Sequence, residues 1–223
     1  YLINGRVPED PDIVAVRRGD RLRLRVVNPS ADTIFRVFVE DHELTITHAD
    51  GLAVQPVETE ALVVGMGERY DVLIEARRDG VARIVAEPLG KPGRAVALLR
   101  YAGSRAKAPR PGAPVRQPRR VASYGDLEPV EPVRSGAAAR SIALPLGLQM
   151  PYTWTVGGQA FPDADPVRIR RGETVRFEMT NRTTMPHPMH LHGHSFRQIV
   201  GGKAAGALKD TILVPPQWTT TIE

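Results

Sequence analysis

Four of the six histidines fall within eight residues, in the run His187-Pro188-Met189-His190-Leu191-His192-Gly193-His194. Imidazole is the commonest nitrogen ligand for zinc, copper and iron, so this density points first to metal binding. In extended backbone successive side chains alternate, so His190 and His192 project to one face and can aim at neighbouring metal ions. His187 lies three positions earlier, held between Pro186 and Pro188, and is turned elsewhere. The residue types alone leave zinc, copper and non-haem iron open, and also a histidine-rich surface loop with no ligand.

The elements that must carry these side chains are strands. Leu22, Leu24 and Val26 alternate with Arg21, Arg23 and Arg25, and Val175, Phe177 and Met179 alternate with Thr174, Arg176 and Glu178, the period of half-buried strands. Further strand-like runs cover 33–39, 43–47, 61–64, 70–75, 81–86, 95–101 and 210–214. Turn residues separate them at short intervals, as in Asn28-Pro29-Ser30 and Arg78-Asp79-Gly80, and no amphipathic period is long enough for a major helix. The expected class is all-β, a sandwich or barrel. The 223 residues leave room for two domains of roughly 100 residues each. Residues 104–145 are dominated by Pro, Arg, Ala and Gly, too little apolar surface for a core, and are read as a linker with Tyr124 and Leu127 placed to dock it locally. The expected division is a first domain over 1–103, the linker over 104–145 and a second domain over 146–223.

An internal repeat supports that division. Residues 12–28, DIVAVRRGDRLRLRVVN, align without gaps on 165–181, DPVRIRRGETVRFEMTN, and Ile3-Asn4-Gly5 matches Val156-Gly157-Gly158 in the same register. A single period of that length is a duplicated domain rather than a solenoid. Beyond Asn28 and Asn181 the copies diverge. With one residue of slack, His42 falls on His194, while Phe35, Phe38 and Glu40 fall on His187, His190 and His192. The first copy keeps the strand and lacks the three imidazoles, so the fold does not require them.

A cupin would also carry His-x-His on a β-barrel, but it needs a nearby Glu ligand and none follows at a suitable short spacing. The run His187-Pro188-Met189-His190-Leu191-His192-Gly193-His194-Ser195-Phe196 instead resembles the C-terminal-domain copper motif of multicopper oxidases, the family of laccases, bilirubin oxidases and bacterial copper-resistance oxidases. The segments Tyr1 to Gly5, Thr47 to Gly51 and Gly67 to Val72 resemble the middle domain of bacterial three-domain members, and Lys209 to Pro216 resembles the strand after the copper motif. The resemblance implies tandem cupredoxin-like Greek-key β-sandwich or barrel domains, the first a middle domain without a copper motif and the second truncated. It makes His187 an imidazole ligand of the type 1 copper, His190 a ligand of the type 2 copper and His192 a ligand of one of the type 3 pair. His194 is not a ligand in the family pattern, and its alignment with His42 suggests a framework role. His42 and His48 are read as packing or hydrogen-bonding residues.

A type 1 site uses two His and a Cys thiolate with a weak axial ligand. This chain has no Cys, so no thiolate and no disulfide can come from it. The resemblance places the absent ligands in a His-Cys-His segment beyond Glu223 and in an N-terminal cupredoxin domain before Tyr1, and both ends of the chain read as cut. The intact parent is expected to oxidise a phenol, amine or metal ion one electron at a time at type 1 copper. At the trinuclear type 2 and type 3 cluster it reduces O2 to water. The fragment alone is expected to be inactive. Two other readings stay open: a cupredoxin-like protein that holds copper without turnover, and a family member that has lost copper, against which His187, His190 and His192 speak. Family resemblance implies a periplasmic or secreted location. Met185 and Met189 beside His187 invite a cuprous-oxidase reading because thioethers favour Cu(I), although both positions also suit packing. The net charge of +5 and pI near 9.9 do not argue for nucleic acid, because the excess lies in the Pro/Arg stretch 105–120 and on strand faces. No run approaches the roughly 20 apolar residues that span a bilayer as a helix.

Overall fold

The alternation expected over 21–27 is realised in the computed structural model, which describes residues 1–133 and 136–223: Arg21, Arg23 and Arg25 face solvent while Leu22, Leu24 and Val26 turn inward. The described residues divide into two compact units, Tyr1–Leu127 and Glu128–Glu223, and both are built of strands.

The first unit contains β1 (Ile13–Val16), β2 (Arg21–Val27), β3 (Phe35–Val39), β4 (Leu44–Ala49), β5 (Leu52–Thr59), β6 (Ala61–Val64), β7 (Arg69–Glu75), β8 (Val81–Pro88), β9 (Ala95–Tyr101) and β10 (Val121–Ala122). They form a six-stranded sheet in the order β1-β9-β8-β3-β6-β10 and a four-stranded sheet in the order β2-β7-β4-β5. Leu44, Ile46, Leu62, Val64, Val72, Ile74, Val85 and Leu99 are fully buried and make the core. Strand β5 escapes the alternation reading because it is mostly exposed; Pro56 is tolerated there because β5 is an edge strand.

Part of the stretch read as a linker is laid on this unit. The guanidinium of Arg83 is buried, forks onto both carboxylate oxygens of Glu40 at 2.6 Å, and donates to the carbonyls of Ala113 and Pro114 at 2.8 and 2.6 Å. Arg116 pairs with Asp41 and Arg120 with Glu43, after which β10 runs parallel to β6 and Leu127 is buried. The segment is held by long-range ion pairs and backbone acceptors, which a composition poor in apolar residues does not reveal.

The second unit contains β11 (Arg140–Ala143), β12 (Leu146–Gln149), β13 (Thr153–Val156), β14 (Val175–Thr180), β15 (His187–His190), β16 (Phe196–Val200), β17 (Lys203–Lys209), β18 (Thr211–Val214) and β19 (Thr219–Ile222). A five-stranded sheet runs β11-β14-β19-β16-β17, with two-stranded ladders β12-β13 and β15-β18. Leu146, Met179, Phe196, Ile212, Val214 and Ile222 form its core.

The duplication read in the sequence extends to the pairing. Strands β14 to β19 repeat β2 to β7: β14 pairs β19 as β2 pairs β7, β15 pairs β18 as β3 pairs β6, and β16 pairs β17 and β19 as β4 pairs β5 and β7. One aligned segment departs from the repeat. Residues 13–16 form β1 by running parallel to β9, whereas residues 166–169 form no strand, and no counterpart of β9 lies beside them among the described residues. A strand needs a ladder partner as well as a pattern.

Candidate metal centre

The register left with one residue of slack in the sequence is settled by two buried asparagines. Asn28 donates through Nδ2 to the carbonyls of Thr33 and Val64 at 2.8 and 3.0 Å, and Asn181 does the same to Met185 and Val214 at 2.7 and 3.0 Å. Val64 is therefore the counterpart of Val214. Their ladder partners are Phe35 and His187, and further along the same ladders Phe38 faces Ala61 as His190 faces Thr211. The extra residue of the first copy is confined to the loop after Asn28. The positions of Phe35 and Phe38 on β3 and of Glu40 in the turn after it carry imidazoles in the second copy.

Strand β15 sorts those imidazoles by parity. Met189 and Leu191 pack on the core of the second unit, so His190 and His192 project to the opposite, exposed face, with ring centroids 4.8 Å apart and planes tilted by 56°. In the first copy the corresponding Phe38 is buried under Val85 of β8 and Val115. No counterpart of β8 lies against β15 among the described residues, and His190, His192 and His194 line an open cleft of about 590 Å³ with Phe177, Phe196 and Ile222. His187 is on the other parity, with the indole of Trp154 edge-on to its ring at a centroid distance of 5.1 Å. Partial burial pushes the His187 imidazole below its ordinary pKa, in the direction that favours the neutral ring.

Two of the rings are oriented from outside. His190 Nδ1 lies 2.9 Å from the carbonyl of Asp210 and 3.1 Å from the hydroxyl of Thr211, which itself donates to Asp210 Oδ1. A carbonyl only accepts, so Nδ1 carries the proton and Nε2 holds the lone pair. His187 Nε2 lies 2.7 Å from the hydroxyl of Thr183. Anchoring one ring nitrogen while the other stays available is how metal-binding histidines are set.

His194 behaves differently. Its Nδ1 donates to the carbonyl of His192, two residues back, at 3.0 Å, and His42 makes the same contact to the carbonyl of Glu40 at 2.6 Å. His42 is buried and its Nε2 meets the Tyr101 hydroxyl at 2.7 Å. His48 sits beside Thr47, Arg23 and Asp71 in the first unit, away from any other imidazole. Met189 is a packing residue of the core, while Met185 is 40% exposed.

Among the described residues no three His, Cys, Asp or Glu side chains gather tightly enough to hold a metal ion. The donor set fits three separate imidazole contributions: a close exposed pair and a single ring behind them. Sequence reasoning did not single out Thr183 or Trp154; the repeat ended on Asn181 without revealing what its amide organises.

Two models described as multicopper oxidase match the chain, one over residues 1–104 and the other over 140–223. The chain belongs to the multicopper oxidase family. It is 37% identical over 225 residues to the multicopper oxidase MmcO of Mycobacterium tuberculosis, covering 97% of this chain and 43% of that protein. It is 25% identical over 282 residues to the copper resistance protein A homolog of Pseudomonas syringae pv. tomato, covering 86% and 48%. The structure of Fet3p, a multicopper oxidase that functions in iron import, superimposes with a TM-score of 0.77 at 19% identity over 98% of this chain and 52% of that one. The chain thus spans about half the length or less of these relatives, and the cupredoxin-like fold expected from the motif is the one observed. The family's cofactor is copper at type 1, type 2 and type 3 sites, and its named relatives are oxidoreductases.

Proposed function

We propose that the second unit supplies three of the copper ligands of a larger oxidase: His187 to the type 1 copper, His190 to the type 2 copper and His192 to one of the type 3 pair. The observation that carries this reading is the comparison of copies. One β-unit, anchored by the same asparagine, exists once with Phe35, Phe38 and Glu40 and once with imidazoles at those three places, so the histidines are additions to a complete scaffold. Copper bound there would supply one-electron exchange with a phenolic, amine or metal-ion donor and four-electron reduction of O2 to water. The chain's own residues orient the ligands. The Asp210 carbonyl and Thr211 hydroxyl hold the His190 ring, Trp154 packs the His187 ring, and the even-numbered face keeps His190 and His192 adjacent.

The remaining ligands, a His-Cys-His segment after Glu223 and an N-terminal cupredoxin domain before Tyr1, belong to the same proposal. Without a thiolate the chain alone is expected to be inactive. A periplasmic or secreted location for the parent is part of the proposal and is supported by its family resemblance; among the described residues no helix is long and apolar enough to cross a membrane.

The experiment loads the full-length protein with copper and follows the blue absorption band together with oxygen uptake on a chromogenic phenol. His187→Ala is expected to abolish the blue band. His190→Ala and His192→Ala should keep the band and stop oxygen uptake. A blue band that survives His187→Ala refutes the assignment. Blue protein with no oxygen uptake on any donor class would favour a copper-holding protein without turnover.

A further inference from the structure

The loop that delivers His187 shares its asparagine-centred wiring with the first copy and adds to it. In the first copy Asn28 Oδ1 accepts from the Ser30 backbone N–H at 3.1 Å and from the Ser30 hydroxyl at 2.7 Å. In the second, Asn181 Oδ1 accepts from the Thr183 backbone N–H at 2.9 Å and lies 2.8 Å from the Thr183 hydroxyl. The second copy adds a bond from the Met185 backbone N–H to Thr183 Oγ1 at 3.3 Å and the contact of Thr183 Oγ1 with His187 Nε2, for which the first copy, with Phe35 at that place, has no partner.

Counting protons favours one direction for the bond to His187. The Asn181 amide cannot be flipped, because its nitrogen must donate to two carbonyls and its oxygen must accept from a backbone N–H. The Thr183 hydroxyl has one proton, and two of its neighbours, Asn181 Oδ1 and the Met185 carbonyl at 3.1 Å, can only accept. Donation to one of those oxygens relieves an O···O contact and leaves the two hydroxyl lone pairs to the Met185 backbone N–H at 3.3 Å and to the His187 ring, whereas donation to His187 would set lone pairs against both oxygens. In the favoured arrangement Nε2 is the donor. We infer that Thr183 is a positioning residue: it holds His187 in the Nε2–H tautomer and leaves Nδ1 as the only lone pair the ring can offer. The strand β15 consequently carries two histidines in opposite tautomers, since the Asp210 carbonyl fixes His190 with its proton on Nδ1. Only the further statement that Nδ1 of His187 takes copper rests on the function proposed above.

The test uses the full-length protein free of copper, with 15N-labelled histidine, at a pH where the imidazole is neutral. Nitrogen chemical shifts distinguish the two tautomers, and the His187 signals are assigned by their loss in His187→Gln. The expected result is the Nε2–H form for wild type, a mixture containing the Nδ1–H form for Thr183→Val, and recovery of the Nε2–H form in Thr183→Ser. Ser30→Ala, which opens the same loop in the copy without imidazoles, should leave the His187 signals in place. A wild-type His187 in the Nδ1–H form overturns the inference, even if Thr183→Val fails to fold, and so does a Thr183→Val protein that stays wholly Nε2–H. A second arm titrates copper into each variant and reads the blue band. Affinity should fall by roughly 10- to 100-fold in Thr183→Val, the usual loss when an outer partner of a ligand is removed, and return in Thr183→Ser. If the tautomer responds as expected while no variant, wild type included, develops the band, the positioning role stands and the type 1 assignment of His187 falls.

Discussion

Replacing Asn181 by alanine removes four hydrogen bonds at once: two donated to the carbonyls of Met185 and Val214, and two accepted from the backbone and hydroxyl of Thr183. At a net contribution of about 1 kcal/mol each, the upper bound is about 4 kcal/mol. Some of this is recovered, because the Thr183 hydroxyl can turn wholly to the Met185 carbonyl and the loop lies near solvent. The Val214 carbonyl is not rescued: that residue is fully buried, and an unsatisfied acceptor there costs about 1–3 kcal/mol. The expected loss is therefore about 2–4 kcal/mol. Asn28→Ala removes the matching four bonds around the buried Val64 and should cost the same to within about 1 kcal/mol. Hydrogen exchange read by mass spectrometry on the full-length protein separates the two, because protection should fall over residues 181–190 in one variant and over 28–39 in the other. Only Asn181→Ala should also weaken the blue band. Losses below about 0.5 kcal/mol at either position, or deprotection of 181–190 by Asn28→Ala, would refute the claim that each asparagine independently sets one copy of the loop.

Three further outcomes can be checked. Arg83→Met leaves the half-buried carboxylate of Glu40 without its partner and frees the Ala113 and Pro114 carbonyls; a loss of about 3–5 kcal/mol is expected, with faster tryptic cleavage at Arg105 and Arg110, and unchanged cleavage would argue against the tether. The Asp126 carboxyl is held below its ordinary pKa first by the Ser123 backbone N–H and then by the Ser123 hydroxyl. A depressed folded value contributes stability above the unfolded pKa of about 3.9 and loses it as pH falls through the folded value, so Asp126→Asn should destabilise at neutral pH and converge on wild type in acid, as urea titrations at several pH values would reveal. His194→Ala should retain full copper stoichiometry by elemental analysis, because its contact with the carbonyl two residues back repeats the framework contact of His42 in the copy without the other imidazoles; loss of one equivalent would make it a ligand.

Much of the scaffold is legible in residue order because it depends on local period. Alternation placed β2, β6, β7, β8, β9 and β14 nearly where they stand, and the repeat from 12–28 to 165–181 announced a duplicated fold before any pairing was known. The candidate ligands were legible for the same reason: alternate positions of a strand share a face, so His190 and His192 had to be neighbours and His187 had to be turned away. What sequence could not decide depends on partners distant along the chain. Edge strand β5 and the Arg83-held tether carry no apolar period, and 166–169 repeat a strand pattern without a ladder to join. The slack between the copies was resolved only when Asn28 and Asn181 were seen to reach Val64 and Val214 across the sheet. Residue types named imidazoles as candidate ligands. Which nitrogen of each ring is left to bind was decided by tertiary contacts, the Thr183 hydroxyl for His187 and the Asp210 carbonyl for His190, because a tautomer is chosen by the hydrogen-bond partner and not by the residue that carries it.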